Sequence, residues 1–497
     1  MPEPPPSKRR TRATQAVAGQ AVELTSTTVP YAELHCRTNY SFLEGASHAD
    51  ELAARAVALG LKAISVTDRN SLAGVVRAHV AAKEAGLKLL IGAEIVPDDG
   101  PSVVLLATDR PAYGRLSRLI TVGRRRAPKG ECRLNIADIL EHAEGLLCCV
   151  PLSEESRYRF ERRYVPGMKT DVAATHLQSL KDGFSGRCYG LAELHCGPND
   201  RDNLQRWRSI CSQFKIPIVA ANDVHYHESR RRALHDVVTA IRHAASLSSL
   251  GHELFPNGER HLKSGAQLLS LFAGDPSIIA RSVEVAERCT FSLDELQYEY
   301  PEELVPQDVT SIQHLTNLTK RGAKLRYPDG VPTKVYDLIK HELTLIEELH
   351  YEAYFLTVYD LVRFARERKI LCQGRGSAAN SAVCYCLGVT SVDPSRIDVL
   401  FERFISRERN EAPDIDIDFE HERREEVLQY LFERYGRERA GMTGAVITYR
   451  PRSAIRDIAR ALALSNDRIE KLADQMEHVN HAEQFPERMR EGGIDPN

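Results

Sequence analysis

The sequence predicts an α/β domain, layered or closed into a barrel, followed by a second domain of α+β character. Three observations lead there. Between Tyr31 and Ser292, β-rich runs such as "KAISVTD", "KLLIGAEIV", "SVVLLAT" and "IPIVAANDVHY" alternate with helix-like segments such as "ADELAARAVALG" and "LAGVVRAHVAAKEAG", the pattern of an α/β fold. The stretch "SLDELQYEYPEELVPQ", rich in Pro and Glu, then interrupts it, as domain boundaries do. Beyond the boundary come an amphipathic helix candidate over Val335 to Leu349, a Gly-rich loop "CQGRGSAANS" and a run of alternating Asp and Ile.

The bulk numbers agree with this plan. A chain of 497 residues suits two or three domains, and 42% hydrophobic with 27% charged residues is ordinary for a globular protein. The formal net charge of −3 is too mild to announce a nucleic-acid partner, so such a claim rests on local sites. Eleven cysteines include no CxxC pair, which argues against a zinc ribbon or a disulfide framework and for reduced thiols. No apolar run approaches the roughly 20 residues that cross a bilayer, and the N-terminus has no apolar signal core. A cytoplasmic protein with no membrane partner is expected.

Residues 1–30 combine "PEPPP" with "SKRRTR", a composition that cannot bury enough apolar surface to offset chain entropy. They are expected to form a disordered tail. The first domain is placed at 31–292 and the second from 293 to 440. The segment 441–497 contains "PRSAIRDIARALALSNDRIEKLADQMEHVNHAEQF" and reads as small helices with basic and apolar faces.

In the first domain, metal-competent residues sit where apolar runs end: His35 after "YAEL", Asp68 after "AISVT", Glu94 after "LLIGA", and Asp223 with His225 after "IPIVAAN". The carboxyl ends of parallel strands in an α/β barrel converge on one site. Histidine and carboxylate ligands suit zinc, manganese or iron, and such a cluster can activate water for phosphoester hydrolysis. Polar residues that merely cap loops at strand ends are the competing reading, and the residues alone leave both open.

This region resembles the polymerase-and-histidinol-phosphatase (PHP) domain found at the front of bacterial replicative polymerases. The resemblance implies a PHP-type (β/α) barrel and a ligand set from which this sequence departs. Active members open with His-x-His, whereas "LHCRTNYSFLEG" gives His35 and then Arg37; their Thr-Asp-His becomes "VTDRNSL", with Asp68 followed by Arg69. Glu44, Glu94, Glu193 in "LAELHCG", Asp223 and His225 stand at the remaining positions. A guanidinium stays protonated and offers no lone pair, so neither arginine replaces a histidine ligand. Arg37 and Arg69 are expected to pair with Asp68, Glu94 or Asp223, leaving the PHP metal site empty and hydrolysis lost.

In the second domain, "KILCQGRGSAANSAVCYCLGV" passes from an apolar segment into Gly374, Arg375, Gly376 and Ser377 and on into a helix-like stretch. Glycines let backbone amides approach an anion, a helix N-terminus adds partial positive charge, Ser377 is a natural N-cap, and Arg375 can fork onto phosphate oxygens. The loop matches neither the Walker pattern nor a dinucleotide fingerprint. A Gly-Ser turn that only joins a strand to a helix is the alternative.

About 40 residues later, "NEAPDIDIDFEHERREE" places Asp414, Asp416, Asp418 and Glu420 on one face of a strand, and Ile415, Ile417 and Phe419 on the other. Same-face carboxylates about 7 Å apart repel one another, and divalent cations remove that cost. Two aspartates holding Mg²⁺ ions is the arrangement of nucleotidyl transfer. A solvated strand edge is the bland alternative.

Loop and comb together carry a second resemblance. "GRGSAANSAVCYCLGVTSVDP", "LFERFISRERNEAPDIDIDFEHERREEVLQY" and "RPRSAIRDIARAL" closely resemble the palm and early thumb of bacterial C-family DNA polymerases, the family of the polymerase III alpha subunit. "YEYPEELVP" and "ILCQGRGSAANSAVCYCLG" look like its error-prone, damage-tolerant branch. The resemblance implies an α+β palm portion over 293–440, a partial helical thumb over 441–497, and error-prone, DNA-directed synthesis. It places the metal ligands on Asp416 and Asp418, with Mg²⁺ as cofactor. Gly374, Arg375, Gly376 and Ser377 fall on the loop receiving the nucleotide's phosphates, and Arg403 in "FERF" is a further candidate there. DNA primer-template, deoxynucleoside triphosphates and other mutagenic-repair proteins are the implied partners. The family's third catalytic aspartate, fingers, clamp-binding region and OB-like domain are expected beyond Asn497. A catalytically inactive DNA- or partner-binding fragment is the alternative, and a PHP phosphoesterase is disfavoured by Arg37 and Arg69.

Overall fold

A computed structural model describes residues 29–151, 170–296, 299–301, 304–397, 401, 404–405, 414–475 and 490. Apart from Val29 and Pro30, the expected N-terminal tail lies outside them. The chain divides into two compact units, Met1–Leu296 with Thr448–Asn497, and Gln297–Ile447. The division at Leu296 falls inside the Pro- and Glu-rich stretch, four residues past the expected boundary at 292.

The first unit runs β1 (Ala32–Glu33), α1 (Ala49–Ala58), β2 (Ala63–Val66), α2 (Val75–Ala85), β3 (Lys88–Ile95), β4 (Val103–Ala107), α3 (Arg110–Arg125), α4 (Ile136–Glu141), β5 (Leu146–Pro151), α5 (Thr170–Gly183), β6 (Cys188–Glu193), α6 (Asp200–Phe214), β7 (Ile218–Ala221), α7 (Arg232–Arg242), α8 (Gly265–Leu271) and α9 (Pro276–Arg288). Local chemistry starts several of these helices. Asp109 and Asn135 accept from Ala112 N and Asp138 N at the heads of α3 and α4, and Ser264 accepts from Gln267 N at that of α8.

The seven strands form one sheet in sequence order. β1, β2 and β3 are parallel, as are β5, β6 and β7, but β4 runs antiparallel to both neighbours. Among the described residues, β4 is thus the one strand set against the parallel order of the barrel. Residues 96–102 are all that join it to β3, too few for the crossover that a parallel neighbour requires. The first and last strands meet past their ends: Arg37 N donates to Val224 O at 2.9 Å and Val224 N to His35 O at 2.8 Å, closing the barrel.

Alternate strand residues divide between two apolar clusters. Leu90, Val104, Leu106, Cys149, Leu191 and Val219 share one with Val285 and Ala286 of α9. Ile91, Ile95, Leu105, Cys148, Val150 and Ile218 share the other with helix residues such as Leu52, Leu116 and Leu180. Glu94 keeps the register of Leu90, and Glu193 that of Leu191.

The second unit runs α10 (Ser311–Arg326), α11 (Thr333–Glu348), α12 (Glu352–Glu367), β8 (Cys372–Arg375), α13 (Ala382–Cys386), β9 (Asp416–Phe419) and α14 (Arg424–Tyr435). The helix expected over 335–349 is α11. β8 and β9 form an antiparallel pair. Leu315, Leu345, Phe355, Val362, Val383 and Phe401 are buried in one cluster, against which Ile415 and Ile417 pack. α10 and α13 touch closely enough that a Cβ on Gly322 would lie 1.8 Å from Cys386 O.

α15 (Pro451–Ala461) and α16 (Asn466–Gln475) follow. They group with the first unit, where Ala461 shares a cluster with Ala240 of α7 and Leu250. Leu105 is wholly buried at the centre of β4. Leu105→Ala is expected to lower the stability of the first unit by about 2–5 kcal/mol, read as a fall in the urea midpoint at unchanged m value.

Candidate functional site

Main-chain bonds beyond the strands assemble the barrel rim. Thr67 N donates to Cys36 O at 2.8 Å, Glu94 N to Asp68 O at 3.3 Å and Asn70 N to Glu94 O at 2.7 Å. Together with the closing pair at Val224, they bring His35, Arg37, Asp68, Arg69, Glu94, Asp223 and His225 to one end. Glu193 joins them, its Oε1 2.7 Å from His35 Nδ1.

Arg37, 2% exposed, is the hub. Its Nε and Nη2 donate to Glu94 Oε2 at 3.1 and 2.6 Å, and its Nη1 to Asp223 Oδ1 and to His225 Nε2, the latter at 2.5 Å. Arg69 donates to Glu44 Oε1 at 2.5 Å and to Glu94 Oε2 at 3.4 Å. Two further arginines complete the network: Arg242 lies 3.1 Å from Glu44 Oε1, and Arg260 donates to Asp223 Oδ2.

Of the three carboxylates expected to pair with the arginines, Glu94 and Asp223 do so, while Asp68 takes other donors. Thr38 N and Oγ1 donate to it at 2.8 Å each and Ser41 Oγ at 2.7 Å. Asp68 follows Ile64 and Val66 in register, the opposite face from Glu94, and the Thr38–Ser41 turn lies against that side. Sequence reasoning also missed Thr38, Ser41, Arg242 and Arg260. Thr38 directly follows Arg37 and Ser41 comes three residues after that, so both hydroxyls could have been found there; the other two carry no local signal.

The electrostatics follow from this wiring. Burial alone would raise the Glu94 and Asp223 carboxyls, but Arg37 with Arg69, and Arg37 with Arg260, hold them well below the usual carboxylate range. Burial, reinforced by Arg37, keeps His225 neutral, so its Nε2 lone pair accepts from Arg37 while Nδ1–H faces Glu44 O at 3.2 Å. His35 is shifted the other way: against burial, Asp223 and Glu193 favour its charged form. Its Nε2 is buried, has no hydrogen-bond partner and lies 3.7 Å from Asp223 Oδ1. Glu33, wholly buried behind this cluster, is pushed up to about 7 by desolvation, against the donors His35 N, Tyr31 OH and Asn222 N. A cavity of about 200 Å³ adjoins the rim, lined in part by Glu193, His195, Trp207, Phe255 and Arg260.

In the second unit, the register Gln373 opposite Asp418 and Arg375 opposite Asp416 places the loop residues on the face of the acids. Asp414, Asp416 and Asp418 are exposed, while Ile415, Ile417 and Phe419 are half-buried. Arg375 Nε pairs with Asp418 Oδ2, both side chains more than half exposed. Gly376 has φ +59°, and a Cβ there would lie 3.7 Å from Asp416 Oδ2. Arg403 lies outside the described residues.

Ser377 is not an N-cap, which corrects the expectation. It lies in a 3₁₀ turn, Gly376–Asn380, and its Oγ donates to Asp414 O at 3.1 Å. Ser381 caps α13 instead, accepting from Cys384 N. The wholly buried carboxylate of Glu342 on α11 takes the remaining groups, accepting from Ser381 Oγ at 2.7 Å, Ala382 N at 2.8 Å and Val383 N at 2.9 Å. Among the described residues, no three His, Cys, Asp or Glu side chains are arranged as a metal-ligand group.

Residues 33–181 match the PHP domain, and residues 313–494 match the bacterial DNA polymerase III alpha NTPase domain. Over most of its length the chain is also similar to proteins named error-prone DNA polymerase. The one from Rhodopirellula baltica is 51% identical over 94% of this chain and 40% of the relative. Those from Methylococcus capsulatus and Pseudomonas paraeruginosa are 50% and 49% identical over 93% and 94% of this chain, and 43% and 44% of the relatives. The chain thus spans less than half the length of these relatives. Among solved structures, an amidohydrolase from Chromobacterium violaceum aligns at 16% identity over 39% of this chain and 87% of its own, with a TM-score of 0.27.

The barrel cluster makes a signed prediction. Glu94 and Asp223 bind protons less readily folded than unfolded, so their stabilisation is present above the ordinary carboxylate range and is lost as pH falls. Glu33 has the opposite sign: between 4.5 and about 7 the folded state holds its proton more tightly, and stability declines as pH rises through that window. Arg37→Met should therefore cost about 3–5 kcal/mol near neutral pH, and the deficit should shrink on acidification. Glu33→Gln should flatten the decline between 4.5 and about 7. Urea midpoints measured across this range check both.

Proposed function

We propose that this chain is the PHP-and-palm portion of an error-prone, DNA-templated DNA polymerase, with Asp416 and Asp418 as its metal-binding carboxylates. The observation that carries the reading is the β8–β9 register, in which Arg375 and the two aspartates share one exposed face. The donor set supports it too: carboxylate oxygens suit Mg²⁺, whose remaining positions water and substrate phosphates commonly fill. Mg²⁺ held there would lower the pKa of a primer hydroxyl and offset charge on the triphosphate.

The chain's own residues then divide the work. Arg375, released from Asp418, takes phosphate oxygens in its forked donors. Gly376 lets the main chain come close to the nucleotide, whereas Gly374 is buried against Val389, its N–H donating to Val389 O at 2.6 Å, and shapes the strand beneath; Ser377 fixes the turn through Asp414 O. Arg403 is proposed for the same nucleotide pocket. Deoxynucleoside triphosphates and DNA primer-template are the proposed substrates, other mutagenic-repair proteins the proposed partners, and the cytoplasm the proposed location. No helix among the described residues is long and apolar enough to cross a membrane.

In the barrel, Arg37 and Arg69 stand in for metal charge between Glu44, Glu94 and Asp223, so that the PHP fold is kept as a support without hydrolysis. The purified chain should then carry no stoichiometric tightly bound metal at the barrel rim; such a metal in elemental analysis, retained by Asp416→Ala/Asp418→Ala, would overturn this.

A second reading, a DNA-binding portion without catalysis, is favoured by the Arg375–Asp418 pair, in which one of the two carboxylates is already taken by a guanidinium. Primer extension with Mg²⁺ separates the two. Extension that disappears in Asp416→Ala supports catalysis; salt-sensitive DNA binding without extension supports the second reading.

A further inference from the structure

α12 holds the aspartate strand at both of its ends. Just ahead of β9, the Tyr354 hydroxyl accepts the Ile415 N–H at 2.9 Å. Beyond β9, Asp360 Oδ2 accepts from the hydroxyls of Tyr430 and Tyr435 on α14, at 2.7 and 2.8 Å, while its Oδ1 accepts from Arg363 at 2.7 Å. Phe364, one turn after Asp360, stacks on Tyr430 with ring centroids 3.9 Å apart. The same helix leads into β8, the strand that carries Arg375. Both sides of the exposed site therefore hang from α12.

Asp360 is only 6% exposed. A buried carboxylate is costly, and where packing alone is needed apolar residues often serve as well or better. Its two oxygens meet three donors in a geometry that apolar contacts would not reproduce. Through this single carboxylate the two tyrosine donors tie α12 to α14.

We propose that Tyr354 and Asp360 are positioning residues for the Asp416–Asp418 face, setting the comb strand against β8 so that its carboxylates are arranged for a divalent cation before one binds. This rests on the reading of Asp416 and Asp418 given above. Neither residue touches the cation or the nucleotide; each acts through the main chain of the strand or through α14.

Mn²⁺ is the probe, with the free ion followed by electron paramagnetic resonance in the full chain, well below its melting temperature. Asp416→Asn/Asp418→Asn defines binding elsewhere on the molecule. In Tyr430→Phe/Tyr435→Phe, which keeps both rings, and in Tyr354→Phe, the Mn²⁺ dissociation constant assigned to the comb should rise about tenfold or more, as for other groups that orient metal ligands. Thermal melts report separately on stability, so a variant that melts lower but binds Mn²⁺ as the wild type does marks a merely structural role. Unchanged affinity in either folded variant overturns the positioning inference while leaving the comb a metal site. Should the double variant fail to fold, the Mn²⁺ affinity of Tyr354→Phe alone decides between these outcomes. If the wild type binds no more Mn²⁺ than Asp416→Asn/Asp418→Asn, the metal reading itself fails, and this inference with it.

Discussion

An extended backbone turns every second side chain to the same face, and both sites of this chain are built on that constraint. In the barrel it sends Glu94 along the line of Leu90, and Glu193 along that of Leu191, to a rim where polar groups collect. In the second unit it separates Asp416 and Asp418 from Ile417 and Phe419. Ile417 packs against the main core, and Phe419 packs against Ala365, Ile370 and Val427. The apolar half anchors the strand, which lets the acidic half stay exposed without losing its place. Antiparallel pairing then transfers the same order to β8, so Arg375 stands opposite Asp416 rather than behind it.

What the two faces present differs in solvent exposure, and the physics of their arginines differs with it. Arg37 is buried among carboxylates, where removal of either partner leaves a charge in a poorly polar medium. It therefore behaves as a fixed part of the barrel, and the Glu94 and Asp223 carboxyls it holds remain ionised far into acid. Arg375 pairs with Asp418 in the open, where water and salt screen the attraction and the net worth of a pair is about 0–1 kcal/mol. A pair that weak can open for an incoming ion or phosphate. The same residue type is thus a permanent counter-charge in one unit and a removable one in the other.

Much of this was legible because it is local. The strands β2, β3, β4 and β7 are apolar runs bounded by polar residues, α11 shows a helical period, and the alternation of Asp and Ile is visible without a structure. β1 is two residues long, and β5 and β6, "LLCCVP" and "CYGLAE", mix cysteine and glycine with their apolar residues, so they carry a weaker strand signal. The reversed direction of β4 depends on the length of a connection rather than on the strand's own residues. Arg260 and Arg242 reach the rim from segments that follow β7, and nothing near them in the chain marks them as partners of Asp223 and Glu44. Asp68 shows the limit of position alone: it ends an apolar run as Glu94 nearly does, yet its register gives it hydroxyl and amide donors instead of a guanidinium.

The helix after the Gly-rich loop shows how a distant residue changes a local inference. "GSAANS" offers two serines four apart, either of which could cap a following helix, and the choice falls on Ser381 because Glu342, some 40 residues earlier, is buried beside it. An internal carboxylate already satisfies the free N–H groups of Ala382 and Val383, so the positive end of α13 has its anion. A nucleotide phosphate placed there would meet a second negative charge in a buried site. On the proposed reading, a phosphate would be drawn instead to the exposed side of the loop, to Arg375. That is also the side on which Asp416 and Asp418 stand, so a triphosphate drawn to Arg375 would arrive beside the carboxylates rather than behind them.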